Sequence, residues 1–477
     1  MHKKMHSGIM LTLLFVGTIA LAFNIQPVKA SGTIYIMSDG TVHPHTAPIH
    51  RDGNIYTLTD NIFESIVVLR SYIVIDGNGY KVEGMDAYDI GIDLSHRNNV
   101  TVKNTEVTGF LWNGIKLVDS MNNKVLENNV SNNGVGMNVA YSDNNIIIRN
   151  TFHDNNWGGV DITGVNNTVI GNTVVDTGRG GISLVGYGGN TISSNVVSDN
   201  YYGGIDLFGS TGNFILRNNV SNNGGCCGGI FLADASNRNT VVHNIVANYS
   251  GHGIYLRDSH NNAITDNVVS GNLSAHQTGV ICTYASEDNT ITRNTVSNNG
   301  QHGISICSGS KGNAIYHNNF INNTKQVHLH GALHNIWDDG YPSGGNYWSD
   351  YEERYPLAEE LDGSGLWDTH YVIGVNNQDN YPLMEPWTPL PRTVDELKTE
   401  IDELGSEGEI DNLGIVKSLL AKLNVAQKLV DKGKIDEAIS ILEDDFIPQV
   451  ENLTEIHITP EAAETLIESA EYILSHL

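Results

Sequence analysis

Positive charge is what this 477-residue chain has least of: 26 Lys and Arg stand against 54 Asp and Glu, a balance of −28 at pH 7. So acidic a body repels nucleic acid and anionic lipid, and disfavours uronate polymers unless divalent cations bridge them. Long apolar runs are also missing. Beyond residues 9–23 no stretch is apolar and long enough to cross a bilayer. Cysteine is held to four residues with no regular Cys-x-x-Cys spacing and no Met-rich stretch, which removes the usual sequence support for a thiolate metal site. The L-x-x-L-x-L frame of leucine-rich repeats is absent.

Glycine is what the chain has in excess, with 50 residues, many of them set in a repeat. Gly, aliphatic, any residue, aliphatic recurs from Gly91, Gly114, Gly136, Gly159, Gly181, Gly204, Gly229, Gly253, Gly279 and Gly303, at intervals of 22 to 26 residues. One asparagine per repeat follows a short β-branched run: Asn104, Asn128, Asn150, Asn172, Asn195, Asn218, Asn244, Asn267, Asn294 and Asn318. The period is too short for paired helices, and Ile205-x-Leu207 and Phe214-x-Leu216 alternate as strands do. One such turn cannot bury its apolar face alone. Stacked turns can, because each backbone N–H and C=O pairs with the turn above or below and the inward aliphatics form a column. The recurrent Asn suits a bend, tolerating a left-handed backbone and bonding the next turn as a ladder. The pattern predicts an all-β right-handed parallel β-helix.

These turns resemble the parallel β-helix repeats of the NosD-like family, a group sharing its fold with sugar hydrolases, pectate lyases and carbohydrate-binding proteins. Residues 31–84 and 315–384, the latter with IWDDGYPSGGNYWSDY and NNQDNYPLM, resemble the first and last segments of archaeal secreted members. The resemblance implies the fold and leaves three activities open. Carbohydrate binding along one face, with no catalysis, comes first; polysaccharide cleavage by a hydrolase or lyase is second. Copper or other metal handling is third, because the family name comes from a copper-cluster maturation protein.

The order of segments follows. Lys3 and Lys4 before the apolar run, and Val28-Lys29-Ala30 after it, read as an export signal over residues 1–30, whose removal takes the charge from −28 to −31. Residues 31–90 are expected to cap the β-helix, 91–330 to form its repeats and 331–385 to close it, with a Pro-rich linker over 386–392. From 393 to 477 the apolar period becomes 3.6, through Val394, Leu397, Ile401 and Leu404 to Ala462, Leu466, Ala470 and Ile473, so a helical bundle is predicted. Residues 414–474 resemble the FIMAH-like helical module that ends many secreted proteins. Asn-x-Ser/Thr sequons at Asn99, Asn129, Asn166, Asn219, Asn248, Asn272, Asn322 and Asn452 are glycan acceptors in an exported chain, though an Asn-rich repeat also makes them by chance. The expected location is extracellular or at the cell surface. The expected partner is a glycan or another surface component, with no nucleic acid and no membrane span once the signal is removed.

The residue between the two aliphatics of each glycine marker must face outward. That column reads Asp93, Lys116, Asn138, Asp161, Ser183, Asp206, Phe231, Tyr255, Ile281, Ser305. Asp161 and Asp206, two turns apart, stand roughly 10 Å apart at the backbone, so their carboxyl groups come within reach of the roughly 6.5–9.5 Å used by inverting glycosidases. They are the candidate catalytic pair. Asp206 with Phe231, Tyr255, Arg257, Asp258 and Tyr284 is the candidate carbohydrate site, since aromatic faces stack on sugar rings and carboxylates accept their hydroxyls.

No cofactor is required, and calcium and copper are the candidate ions. His328, His330 and His334 have metal-like spacing, as do His43, His45 and His50. Asp362 and Asp368 lie in a Gly-rich loop that resembles a calcium site, although Ser364 replaces the expected second acid and Trp367 a glycine. Among the cysteines, Cys226 and Cys227 are adjacent, while Cys282 and Cys307 fall on consecutive turns whose phase points one inward and the other outward. An even number in an exported chain points to oxidation, with the pairing open.

Overall fold

Alternation decides the strands. In the turn that begins at Gly203, Ile205 and Leu207 point inward from Gly203–Phe208, Ile215 from Phe214–Leu216 and Val220 from Asn219–Ser221, all fully buried. Each such side chain contributes about 2–3 kcal/mol, an upper estimate because unfolded chains are partly collapsed. A computed structural model describes residues 32–84, 89–225, 228–271, 279–387, 394–454 and 456–476. The expected signal, Cys226, Cys227, Asn272 and most of the Pro-rich linker lie outside the described residues.

Three strands per turn stack into a parallel β-solenoid of about 11 turns. Sheet 1 has 14 strands and ends in Lys325–His330, sheet 2 has 13 and ends in Ala314–Tyr316, and sheet 3 has 12 and ends in Tyr347–Trp348. Register carries one residue type up the core: Ile182, Ile205, Ile230, Ile254, Ile281 and Ile304 sit one on the next. The first turns open with antiparallel pairs, Ile34–Ile36 with Val42–His43 and Ile49–Asp52 with Ile55–Leu58.

Asparagine holds the bends, in three ladders where the repeat pattern gave one. The expected ladder runs from Asn128 through Asn150, Asn172, Asn195 and Asn218 to Asn346; each carboxamide oxygen accepts the backbone N–H of the Asn one turn below. A second runs from Asn123 through Asn145, Asn167 and Asn190 to Asn335. A third is shorter, with Asn133 on Asn155, Asn200 on Asn223 and Asn299 on Asn323.

The left-handed backbone is not at the ladder Asn but one residue before it, as at Glu127, Arg149, Ser194 and Arg217, with φ of 52–56°. Asn104, with φ 50°, occupies that earlier place, and Thr105 stands in the ladder, its N–H donating to Asn128 Oδ1 at 3.1 Å. The ladder residue therefore uses its side chain alone, while its neighbour turns the corner.

The last coil is sealed by the segment after residue 331. Trp348 stacks on Phe320 at 4.7 Å and on Tyr371 at 4.2 Å between ring centres. Asp379, fully buried, accepts the N–H of Asn346 at 2.7 Å, Trp348 Nε1 at 2.9 Å and the N–H of Tyr381 at 3.1 Å.

The chain divides after Trp387 into a second compact unit. It contains the helices Val394–Glu407, Leu413–Val430, Ile435–Ser440, Ile447–Leu453 and Pro460–His476, with a π-helical turn at Ile441–Phe446. Leu397, Ile401, Leu419, Leu423, Phe446 and Leu466 form its core. Asn412 caps Leu413–Val430 by accepting Gly414 N–H at 2.8 Å, and Gly433, at φ 69°, permits the turn between helices. Among the described residues no helix is long and apolar enough to cross a membrane.

Candidate functional site

The outward side of sheet 1 carries most of the candidate residues. Its central column reads Asp93, Lys116, Asn138, Asp161, Ser183, Asp206, Phe231, Tyr255, Cys282, Ser305 and His328. Cys282, not Ile281, stands between Tyr255 and Ser305. Gly279 pairs with His302 rather than with Gly303, so Val280 takes the usual glycine place and the frame moves by one residue. Ile281 is fully buried, and the counting that assigned it outward fails for that reason.

Stacked glycines leave a trough that the Asp206 carboxyl group fills. Gly158, Gly180, Gly203 and Gly228 stack three residues before Asp161, Ser183, Asp206 and Phe231. A Cβ at Gly180 would lie 2.7 Å from Asp206 Oδ2, and one at Gly203 2.8 Å from Oδ1, so the carboxyl group fills the space those side chains would take. Burial raises Asp206 to about 7, helped by the charge of Asp161. Burial also raises Asp161, to about 6, against the pull of Arg179. Two carboxyl groups on one face thus exchange protons near neutral pH, the range suited to general acid–base work.

One wall of this trough went unseen in the sequence. The residues immediately before the strand starts are Trp112, Gly134, Trp157, Arg179 and Tyr202 in successive turns. Trp112 and Trp157 are 51% and 46% exposed and meet edge to face at 6.3 Å across Gly134. Exposed indoles beside acceptors form a surface for a ring with one apolar face. Marking only the glycine and its aliphatics skipped this row; its signal was an aromatic or basic residue just before successive strands.

The predicted carbohydrate residues are brought together in part. Phe231, directly above Asp206, is buried between Phe208 at 5.7 Å and Tyr255 at 5.0 Å, with Arg257 Cζ 5.1 Å over its ring. Arg257 Nη2 also reaches Asp234 Oδ1 at 2.9 Å. Tyr284 pairs with Arg257 and is exposed. Asp258 is not part of this cluster: it lies past the strand, in the left-handed bend at φ 48°.

Cys282 and Cys307 both sit on the outward side, correcting the expected opposition. The register sets Cys282 against Ser305 and Cys307 against Tyr284, a diagonal relation, and both thiols are free. A hydrogen bond from Cys282 lowers the Cys307 thiol and raises its own.

The predicted ligand sets do not converge. His328 stacks on His302 at 4.5 Å and stands 6.2 Å from His330, while His334 Nδ1 is 2.9 Å from Asn376 O. Asp362 accepts the Tyr341 hydroxyl, whereas Asp368 accepts Glu359 N–H and the Thr369 hydroxyl. His43 and His45 lie 4.4 Å apart, and no third ligand joins them or His50: among the described residues no three His, Cys, Asp or Glu groups can hold a metal ion.

Residues 158–353 match the family described as periplasmic copper-binding protein (NosD), residues 49–197 the right handed beta helix region, and residues 394–475 the FIMAH domain. No curated protein matches the chain. Similar solved structures include the Dettilon tailspike protein, at 17% identity and TM-score 0.45 over 56% of this chain and 62% of the tailspike. The periplasmic alginate epimerase AlgG is similar at 17% identity and TM-score 0.39, over 63% of this chain and 83% of that one. A DFA-IIIase from Arthrobacter chlorophenolicus A6 is similar at 13% and 0.43, over 62% and 88%. Among the described residues the copper in the family description is not matched: His302, His328 and His330 stack on one another, His334 Nδ1 hydrogen-bonds Asn376 O, and no three donors share a centre.

Proposed function

We propose that this chain, a right-handed β-helix similar to the NosD family over residues 158–353 and to the FIMAH domain over residues 394–475, is a surface or extracellular protein that binds carbohydrate along the outward face of sheet 1. One observation carries the reading: an exposed Trp112, Trp157 and Tyr202 row runs beside the glycine trough that holds Asp161 and Asp206. Indole faces take the C–H side of a sugar ring, and the carboxyl groups and Arg179 take its hydroxyls. A net charge of −28 and two acids in the trough favour a neutral polymer. The basic start of the chain and the periplasmic family description support a place outside the cytoplasm.

The test is retention of the full chain on a panel of neutral and acidic polysaccharides, beside Trp157→Ala. Retention on a neutral polymer, weakened about ten-fold or more by Trp157→Ala, is the expected result. Failure to bind any polymer, or binding that the substitution leaves alone, would overturn it.

Cleavage is a second reading, favoured by one observation: two carboxyl groups stand two turns apart on one face, each raised by burial above the usual carboxylate range. It predicts new reducing ends from the retained polymer, lost in Asp206→Asn while retention persists. If wild-type protein releases none, the trough only binds.

A further inference from the structure

A buried polar atom without a hydrogen-bond partner is uncommon, and each one calls for a reason. Three of them lie on the outward rows of sheet 1: Asp206 Oδ1, His302 Nδ1 and Ser305 Oγ, on residues only 8%, 6% and 2% exposed. The first belongs to the trough already described. The other two form a separate place, four turns on.

Ser305 stands in the same column as Asp206, with Phe231, Tyr255 and Cys282 between them. His302 lies three residues before Ser305 on the strand His302–Cys307, and its ring stacks on His328 of the next turn at 4.5 Å. Burial, with the neighbouring His328 and Lys325, lowers the basicity of His302 and keeps it neutral, so its Nδ1 serves a hydroxyl as donor or acceptor. The Ser305 hydroxyl offers both roles as well. Nothing in this pair attracts a charged group; it suits the hydroxyls of a sugar.

At roughly 4.8 Å per turn, Asp206 and Ser305 are about 19 Å apart. One or two sugar rings cannot touch both. Resting on the carbohydrate reading above, we infer that the bound molecule is a linear neutral polysaccharide lying along the column, anchored at the Asp206 trough and again at Ser305 and His302. Phe231, itself buried, and the partly exposed Tyr255 stacked on it occupy the interval and leave no buried polar atom unmet, as a span between two anchors requires.

Cys307 is a built-in reporter, because it is partly exposed and lies two residues beyond Ser305 on the same outward row. The experiment takes the neutral polymer that retains the full chain, cuts it into oligomers of graded length, and measures two things. The first is protection of Cys307 from iodoacetamide, mapped by peptide mass. The second is affinity with and without Ser305→Ala. Long oligomers are expected to protect Cys307 while disaccharides do not, and Ser305→Ala is expected to weaken long oligomers about five-fold, leaving short ones unchanged. Affinity that is independent of length, or long oligomers that leave Cys307 open to alkylation, would overturn the second anchor. Those outcomes are distinct from failure of the carbohydrate reading itself, in which no polymer retains the chain or Trp157→Ala has no effect.

Discussion

Replacing Asn195 by alanine is expected to lower the stability of the β-helical unit by about 3–5 kcal/mol. The carboxamide is buried, and its oxygen accepts Asn172 N–H at 2.9 Å and Asn172 Nδ2 at 3.1 Å. Its nitrogen donates to Val169 O at 2.9 Å and Asn218 Oδ1 at 3.0 Å. Alanine removes all four bonds in a place water cannot enter, so Asn172 N–H and Val169 O lose the partners the carboxamide supplied. The penalty is that of unmade hydrogen bonds, which exceeds the modest net worth of made ones. Urea unfolding followed by the strand signal reads it as a lower midpoint at unchanged slope. Asn219→Ala, on an exposed side chain one turn further on, should stay within about 0.5 kcal/mol of wild type. An Asn195→Ala protein as stable as that control would show that backbone pairing alone holds the bends.

Asp206→Asn is expected to make the protein more stable above neutral pH. Folded, Asp206 keeps its proton until the pH nears about 7; its ordinary value is 3.8, and burial beside Asp161 makes the difference. Between those values the folded chain holds a proton that the unfolded chain has released. Stability therefore falls as pH rises through that window, and the loss is complete above it, on the order of 4 kcal/mol. Asparagine has nearly the shape of the protonated acid and cannot ionise. The variant should melt with wild type near pH 4, melt later near pH 8.5, and show a flatter profile between, the residual slope coming partly from Asp161, raised in the same direction to about 6. Parallel profiles for the two proteins would mean that Asp206 is already ionised in the fold.

The repeat was legible because stacking needs the same residue class at the same place in every turn. Ile205, Leu207, Ile215 and Val220 alternate plainly, and their burial follows. Where one residue more or less enters a turn, counting loses the phase, as at Val280 and Cys282. The Asn104 and Thr105 exchange shows the same limit: both residues suit a bend, and only the path of the chain decides which one reaches Asn128.

The candidate site was legible in its acids and its aromatic stack, both in the outward column. Trp112, Trp157, Arg179 and Tyr202 were not, because their row belongs to the bend before the strand, where alternation predicts nothing. His334 shows the reverse error. Spacing joined it to His328 and His330, but the chain bends at Gly331 with φ 66° and delivers it to Asn376.

Nothing within the repeat says where it should stop, since each turn offers the next the same row of donors and acceptors. The seal of Trp348, Tyr371 and Asp379 supplies that ending. A chain clipped before it would present a bare parallel edge to other clipped chains, and end-to-end growth into a fibre would then follow from the same hydrogen bonds that build one molecule. Those closing residues are accordingly a length regulator, keeping a self-templating architecture finite.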